Sequence, residues 1–104
     1  PISLIENGTL VVATATNPAL FDKPMSNVKE VSARGADVLG ITIRGFEDAI
    51  HKTMDSAIFV PQPEVLFQAS MSVIPLQTFA YYVALMRGCD VDKPRNLAKS
   101  VTVE

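Results

Sequence analysis

An α/β protein with a parallel sheet is what the sequence predicts, on three observations. Short apolar runs rich in β-formers occur at residues 9–15, 36–43 and 56–60, a stretch with helical spacing separates the first two, and the longest helical signal of the chain follows the third. Strand, helix, strand is the unit that forces parallel pairing, because two parallel neighbours can be joined only by a crossover over one face of the sheet.

In order along the chain, Asn7 and Gly8 are a turn signal, and the run from Thr9 to Ala15 reads as a strand buried on both faces. Asn17 and Ser26 both qualify as helix N-caps. From Ser26 the apolar Val28, Val31 and the small Ala33 recur at helical spacing until Gly35 ends the helix. Residues 36–43 form a second buried-type strand and residues 56–60 a third. Across residues 64–87, Val65, Leu66, Ala69, Val73, Leu76, Ala80, Val83 and Ala84 lie close to one stripe, and Gly88 supplies a left-handed cap. Pro75 falls inside that signal, which predicts a kink or a new start there. Phe79, Tyr81, Tyr82 and Met86 make much of the remaining circumference apolar, so this helix is expected to be covered on more than one side. Three strands leave open, apolar edges, and self-association through the edge and the long helix is the expected consequence.

The 104 residues have room for one domain. A hydrophobic fraction of 48% and a charged fraction of 19% belong to a chain that buries a real core. Nine Lys+Arg against eleven Asp+Glu leave a net charge of -2. The basic residues are scattered, so nucleic acid and anionic lipid are set aside as partners. The single cysteine, Cys89, excludes an internal disulfide and a CxxC motif, which fits a reducing cytoplasm. Charged, proline and polar residues are read as interrupting every run that approaches the roughly 18–20 residues of a membrane span. The start at Pro1 lacks signal-peptide character and an initiator Met, so the chain is expected to begin inside a longer one.

Few side chains point to chemistry by spacing alone. His51, the only histidine, sits in a polar stretch with no second ligand or nucleophile and reads as solvated. Ser70 and Ser72 have no GxSxG context and read as capping or packing residues. Gly35, Gly40 and Gly45 are too far apart for a phosphate loop and read as punctuation. The carboxylate pairs Glu47/Asp48 and Asp90/Asp92 read as solvated turns rather than metal ligands. In residues 90–104, Leu97, Val101 and Val103 alternate around Lys99, a pattern able to dock the tail as an extended strand, although spacing by itself leaves Lys99 a solvated lysine.

The closing segment, Asp90-Val91-Asp92-Lys93-Pro94-Arg95-Asn96-Leu97-Ala98-Lys99-Ser100-Val101-Thr102-Val103-Glu104, resembles the ending of the glutamine-fructose-6-phosphate aminotransferase family almost letter for letter. Ser72-Val73-Ile74-Pro75-Leu76-Gln77, with Ala80-Tyr81-Tyr82 and Arg87-Gly88, is similar to the long helix before that ending. Asn27-Val28-Lys29-Glu30-Val31-Ser32-Ala33-Arg34-Gly35 is similar to the family's crossover helix.

The resemblance implies a partial sugar isomerase (SIS) domain, flavodoxin-like, of about three parallel strands with flanking helices. Residues 1–89 would be the latter part of the second of two SIS subdomains, and residues 90–104 an extended active-site tail. The family joins ammonia from glutamine to fructose-6-phosphate, giving glucosamine-6-phosphate, with no nucleotide or metal cofactor. The lysine matching Lys99 would act as the catalytic amine, opening the sugar ring and forming an imine, and the main chain at Ala98 would touch the sugar. The implied partners are the chain's own glutaminase domain, a first SIS subdomain carrying the phosphate-gripping Ser/Thr loop, and a second copy of the protein. The family's catalytic glutamate and His-Gly pair would precede Pro1, and His51 inherits neither role. Two other readings are a non-catalytic module that binds sugar phosphate or assists assembly, and a distinct SIS isomerase or regulator. The family-like tail argues against the second.

Overall fold

The computed structural model describes residues 2–62 and 64–93. Its elements are strand β1 (Leu10–Ala15), helix α1 (Asp22–Ala33), strand β2 (Asp37–Ile43), the single turn of helix α2 (Glu47–Ile50), strand β3 (Ser56–Val60) and helix α3 (Gln68–Met86). Short 3-10 turns at Ile2–Leu4, Pro18–Leu20 and Val65–Phe67 lead into β1, α1 and α3. The strands form one parallel sheet in the order β1-β2-β3. The α/β parallel sheet expected from the sequence is the observed fold.

Because side chains alternate across a strand, each helix finds its own face. On one face, Phe21, Met25 and Val28 of the α1 region and Ile50 and Met54 from the α2 region close over Ala15, Ala36 and Val38. On the other, Ile41, Ile43 and Val60 pack against Val12 and against Leu76 of α3. Ile41, Ile43 and Ile50 are almost fully excluded from water, each contributing about 1.5–3 kcal/mol of transfer free energy. The central strand β2 is therefore the anchor of the domain. Among the described residues β1 has one neighbour and is only half-buried, whereas its composition reads as covered on both faces; Val11 and Ala13 pack towards one apolar cluster and Val12 towards the other.

Both long helices end as the glycines predict. At Gly35 (φ +90°) and Gly88 (φ +69°) the chain turns left-handed. In each case the following N–H reaches back to the carbonyl five residues earlier, Ala36 to Val31 and Cys89 to Ala84. Gly40 differs from the reading as punctuation: it lies inside β2 and is buried. It stands between Ala13 and Ala57 on the neighbouring strands, and a Cβ there would collide with the Met54 sulfur. This row of small residues makes room for Met54.

Two helix starts also differ from expectation. Ser26 is interior to α1. Asn17 caps the preceding 3-10 turn instead, its Oδ1 accepting from the Ala19 N–H at 3.0 Å. Pro24 fits within the first turn of α1, where no intrahelical N–H is required. α3 starts at Gln68 and is continuous through Pro75, so the proline removes one backbone bond without starting a new helix. Most large apolar side chains of α3 and its leading turn are exposed, among them Leu66, Ile74, Tyr82 and Met86. By length and composition alone, Val65–Met86 suffices to cross a membrane, contrary to the reading that every apolar run is interrupted. Leu76 nevertheless seats the helix on the sheet.

Candidate functional site

In open parallel α/β sheets, ligands bind outside the carboxyl ends of the strands, where the loops diverge. Here that edge is built by Thr16 and Asn17 after β1, residues 44–47 after β2, Pro61 and Gln62 after β3, and the first turns of α3. The fully buried Thr42 hydroxyl donates to the Ala15 carbonyl at 3.0 Å, fixing the end of β1 against β2. One residue on, the Thr16 hydroxyl lies 3.0 Å from that of Ser72, which bonds the Gln68 carbonyl at 2.7 Å. Ser72 has one hydroxyl proton; with that given to Gln68, Thr16 is the donor. The pair ties the end of β1 to α3.

After β2, Gly45 turns with φ +100°, and its N–H donates to Glu47 Oε2 at 2.8 Å. This bond, foremost, and the residue's own N–H hold the Glu47 carboxyl below its usual value, with smaller help from Arg44 and His51 against a small desolvation effect. The carboxylate is open to solvent, so its contribution to stability is small. A pKa depressed in the folded state gives stability that is present above the unfolded value and lost as pH falls through the folded one. NMR titration should place the Glu47 midpoint below that of a glutamate in an unstructured peptide, and Glu47→Gln should remove this acid-side loss. An unshifted midpoint would contradict the turn.

The edge presents hydroxyls, an amide and the exposed Arg44, groups suited to holding a polar ligand. Among the described residues neither Thr16 nor Ser72 has a histidine or carboxylate as a hydrogen-bond partner, so these residues pair neither hydroxyl at this edge with a base. Among the described residues no group of three His, Cys, Asp or Glu side chains could hold a metal. Asp90 accepts from the Asp92 and Lys93 N–H groups at 3.0 and 3.2 Å, the solvated turn expected of that pair. His51 follows α2, beside Thr53 and Asp55 at the opposite, amino end of the strands; it is exposed, with its ring 6.2 Å from that of Phe59. Lys99 and Ala98 lie outside the described residues.

A groove of about 510 Å³ between β3 and α3 is lined by Ile58, Val60, Met71, Ile74, Phe79 and Tyr82 among others, with no charged side chain. It does not suit a phosphorylated sugar. The Thr16–Ser72 contact escaped the sequence reading, because nothing in the local pattern links two hydroxyls 56 positions apart.

A parallel sheet with a site at its carboxyl edge defines a class, and the sequence profile of the SIS domain matches residues 1–87: the chain belongs to the SIS domain family. Among its relatives, the glutamine-fructose-6-phosphate aminotransferase (isomerizing) of Clostridium tetani is 55% identical over 104 residues, covering all of this chain and 17% of the relative. That of Bacillus licheniformis is 52% identical over 103 residues, covering 99% and 16%. The solved C-terminal domain of glucosamine-fructose-6-phosphate aminotransferase from Francisella tularensis superposes with a TM-score of 0.75 at 29% identity, covering 90% of this chain and 27% of that one. The chain thus spans about one sixth of the length of the curated relatives it matches.

Proposed function

We propose that this chain is the C-terminal part of an isomerase domain that joins ammonia from glutamine to fructose-6-phosphate, producing glucosamine-6-phosphate. The observation that carries the reading is the end-to-end match, at about half identity, to aminotransferases bearing that name. The carboxyl edge of the sheet, with its hydroxyls and Arg44, faces the sugar. Lys99 attacks the ketone carbon as the free amine, water leaves, and the resulting imine activates the sugar for isomerisation, while the Ala98 main chain steadies the substrate.

An amine attacks only when neutral. With a reference pKa near 10.4, only about one lysine in a few thousand is neutral at pH 7, so a dry or cationic setting is needed to lower it. An active-site tail at residues 90–104 supplies that setting. The complete protein works in the cytoplasm as a homo-oligomer, with its glutaminase domain and first SIS subdomain on the same chain and with neither membrane nor nucleic acid as partner.

The phosphate-gripping loop belongs to the first subdomain. Calorimetric titration of fructose-6-phosphate into the 104-residue chain should therefore show no binding, whereas the complete enzyme binds and turns the sugar over. Tight binding by the short chain would place phosphate recognition within it and favour a self-sufficient sugar-phosphate-binding module.

A further inference from the structure

We infer that Thr16 and Ser72 are a positioning pair for the proposed sugar chemistry. They fix α3 relative to the carboxyl edge of the sheet and so set where the catalytic tail departs. This deepens the preceding reading and rests on it.

Among the described residues α3 is lightly held. Of these residues, Leu76 is the α3 side chain grouped with the apolar cluster on that face of the sheet, while Val73, Ile74, Val83 and Leu85 along the same helix are exposed. Apolar contact is non-directional and leaves a helix able to slide or roll; a hydrogen bond with both partners defined does not. The Thr16–Ser72 bond, at 3.0 Å and part-buried, supplies that definition.

Both ends of the bond are themselves fixed. Thr16 follows Ala15, whose carbonyl receives the buried Thr42 hydroxyl, and the Ser72 proton is held by the Gln68 carbonyl within the helix. The chain Thr16 to Ser72 to Gln68 therefore connects the central sheet to the first turn of α3, and Gln68 is the buried residue of that helix. Beyond the other end, after the Gly88 turn, come residues 90–104 with Lys99. A rigid helix transmits a small tilt at its first turn as a displacement at its last. A misplacement of about 1 Å at a reacting group can cost about a hundredfold in rate.

The test uses the complete enzyme with Thr16→Val, Ser72→Ala, both together, and the conservative Thr16→Ser. For each, kcat and KM for glucosamine-6-phosphate formation are measured beside glutaminase activity and melting temperature. Thr16→Val and Ser72→Ala should each lower kcat about tenfold or more, with KM for fructose-6-phosphate changed by less than about threefold. The double variant should be no worse than the worse single one, Thr16→Ser should restore most of the rate, and glutaminase activity and melting temperature should stay near those of the parent. Unchanged kcat in both single variants, or losses that multiply and follow melting temperature, would overturn the proposal. Lys99→Arg measured in parallel separates the two claims: if it keeps full synthesis, the reading of the lysine fails. The pair is then judged by amide exchange in α3, which should quicken around Gln68 in Thr16→Val; unchanged exchange would overturn it.

Discussion

Lys99→Arg in the complete enzyme is expected to lower glucosamine-6-phosphate formation by about 10³-fold or more while glutamine hydrolysis continues. Arginine keeps the positive charge and nearly the length of lysine, so attraction to a sugar phosphate survives the change. What is lost is the neutral nitrogen: a guanidinium stays protonated throughout the working pH range and cannot add to a ketone. The loss should therefore appear in kcat rather than in KM. Undiminished synthesis by the variant would remove the lysine from the mechanism.

Gly40→Val is expected to lower the stability of the domain by about 3 kcal/mol. The position lies in the central strand, buried, with Ala13 and Ala57 as its lateral neighbours and the Met54 sulfur in the space a side chain would take. An added isopropyl group must either displace Met54 from the core or push α2 off the sheet. The measurement is the denaturant midpoint of the isomerase domain. Met54→Ala alone should cost about 2–5 kcal/mol by leaving a cavity, yet Gly40→Val combined with Met54→Ala should cost less than the sum, because one change fills the space the other vacates. Strict additivity would show that the two positions do not share that volume.

Much of the fold was legible because local pattern and tertiary structure agree. The three strands fall within a residue of their apolar runs, and Gly35 and Gly88 end their helices as their freedom at positive φ predicts. The failures have physical causes. Ser26 is a competent cap residue, but Pro24 accommodates the first turn of α1 and the helix starts earlier, at Asp22. Gly40 resembles a turn glycine in one dimension; its reason, the Met54 side chain arriving from the far end of a crossover, exists only in three.

The candidate site divides in the same way. The role proposed for Lys99 rests on the resemblance of residues 90–104 alone, since alternation gives a lysine no chemistry. The Thr16–Ser72 bond was illegible at any level of local pattern. Pairing of two hydroxyls is decided by where the crossovers carry the chain, not by what flanks either residue. The exposure of α3 has a similar origin: its composition announces a covered helix, and the described residues cover little of it beyond the Leu76 contact.

Reductive trapping tests the central claim most directly. An imine between Lys99 and the ketone carbon of fructose-6-phosphate, once reduced by borohydride, becomes a stable secondary amine that survives digestion and mass spectrometry. Applied to the complete, active enzyme with its sugar, the treatment should attach a hexitol phosphate to the Lys99 side chain and abolish further synthesis. An enzyme that is inactivated with the sugar attached elsewhere, or that keeps turning over with Lys99 unmodified, would contradict the account.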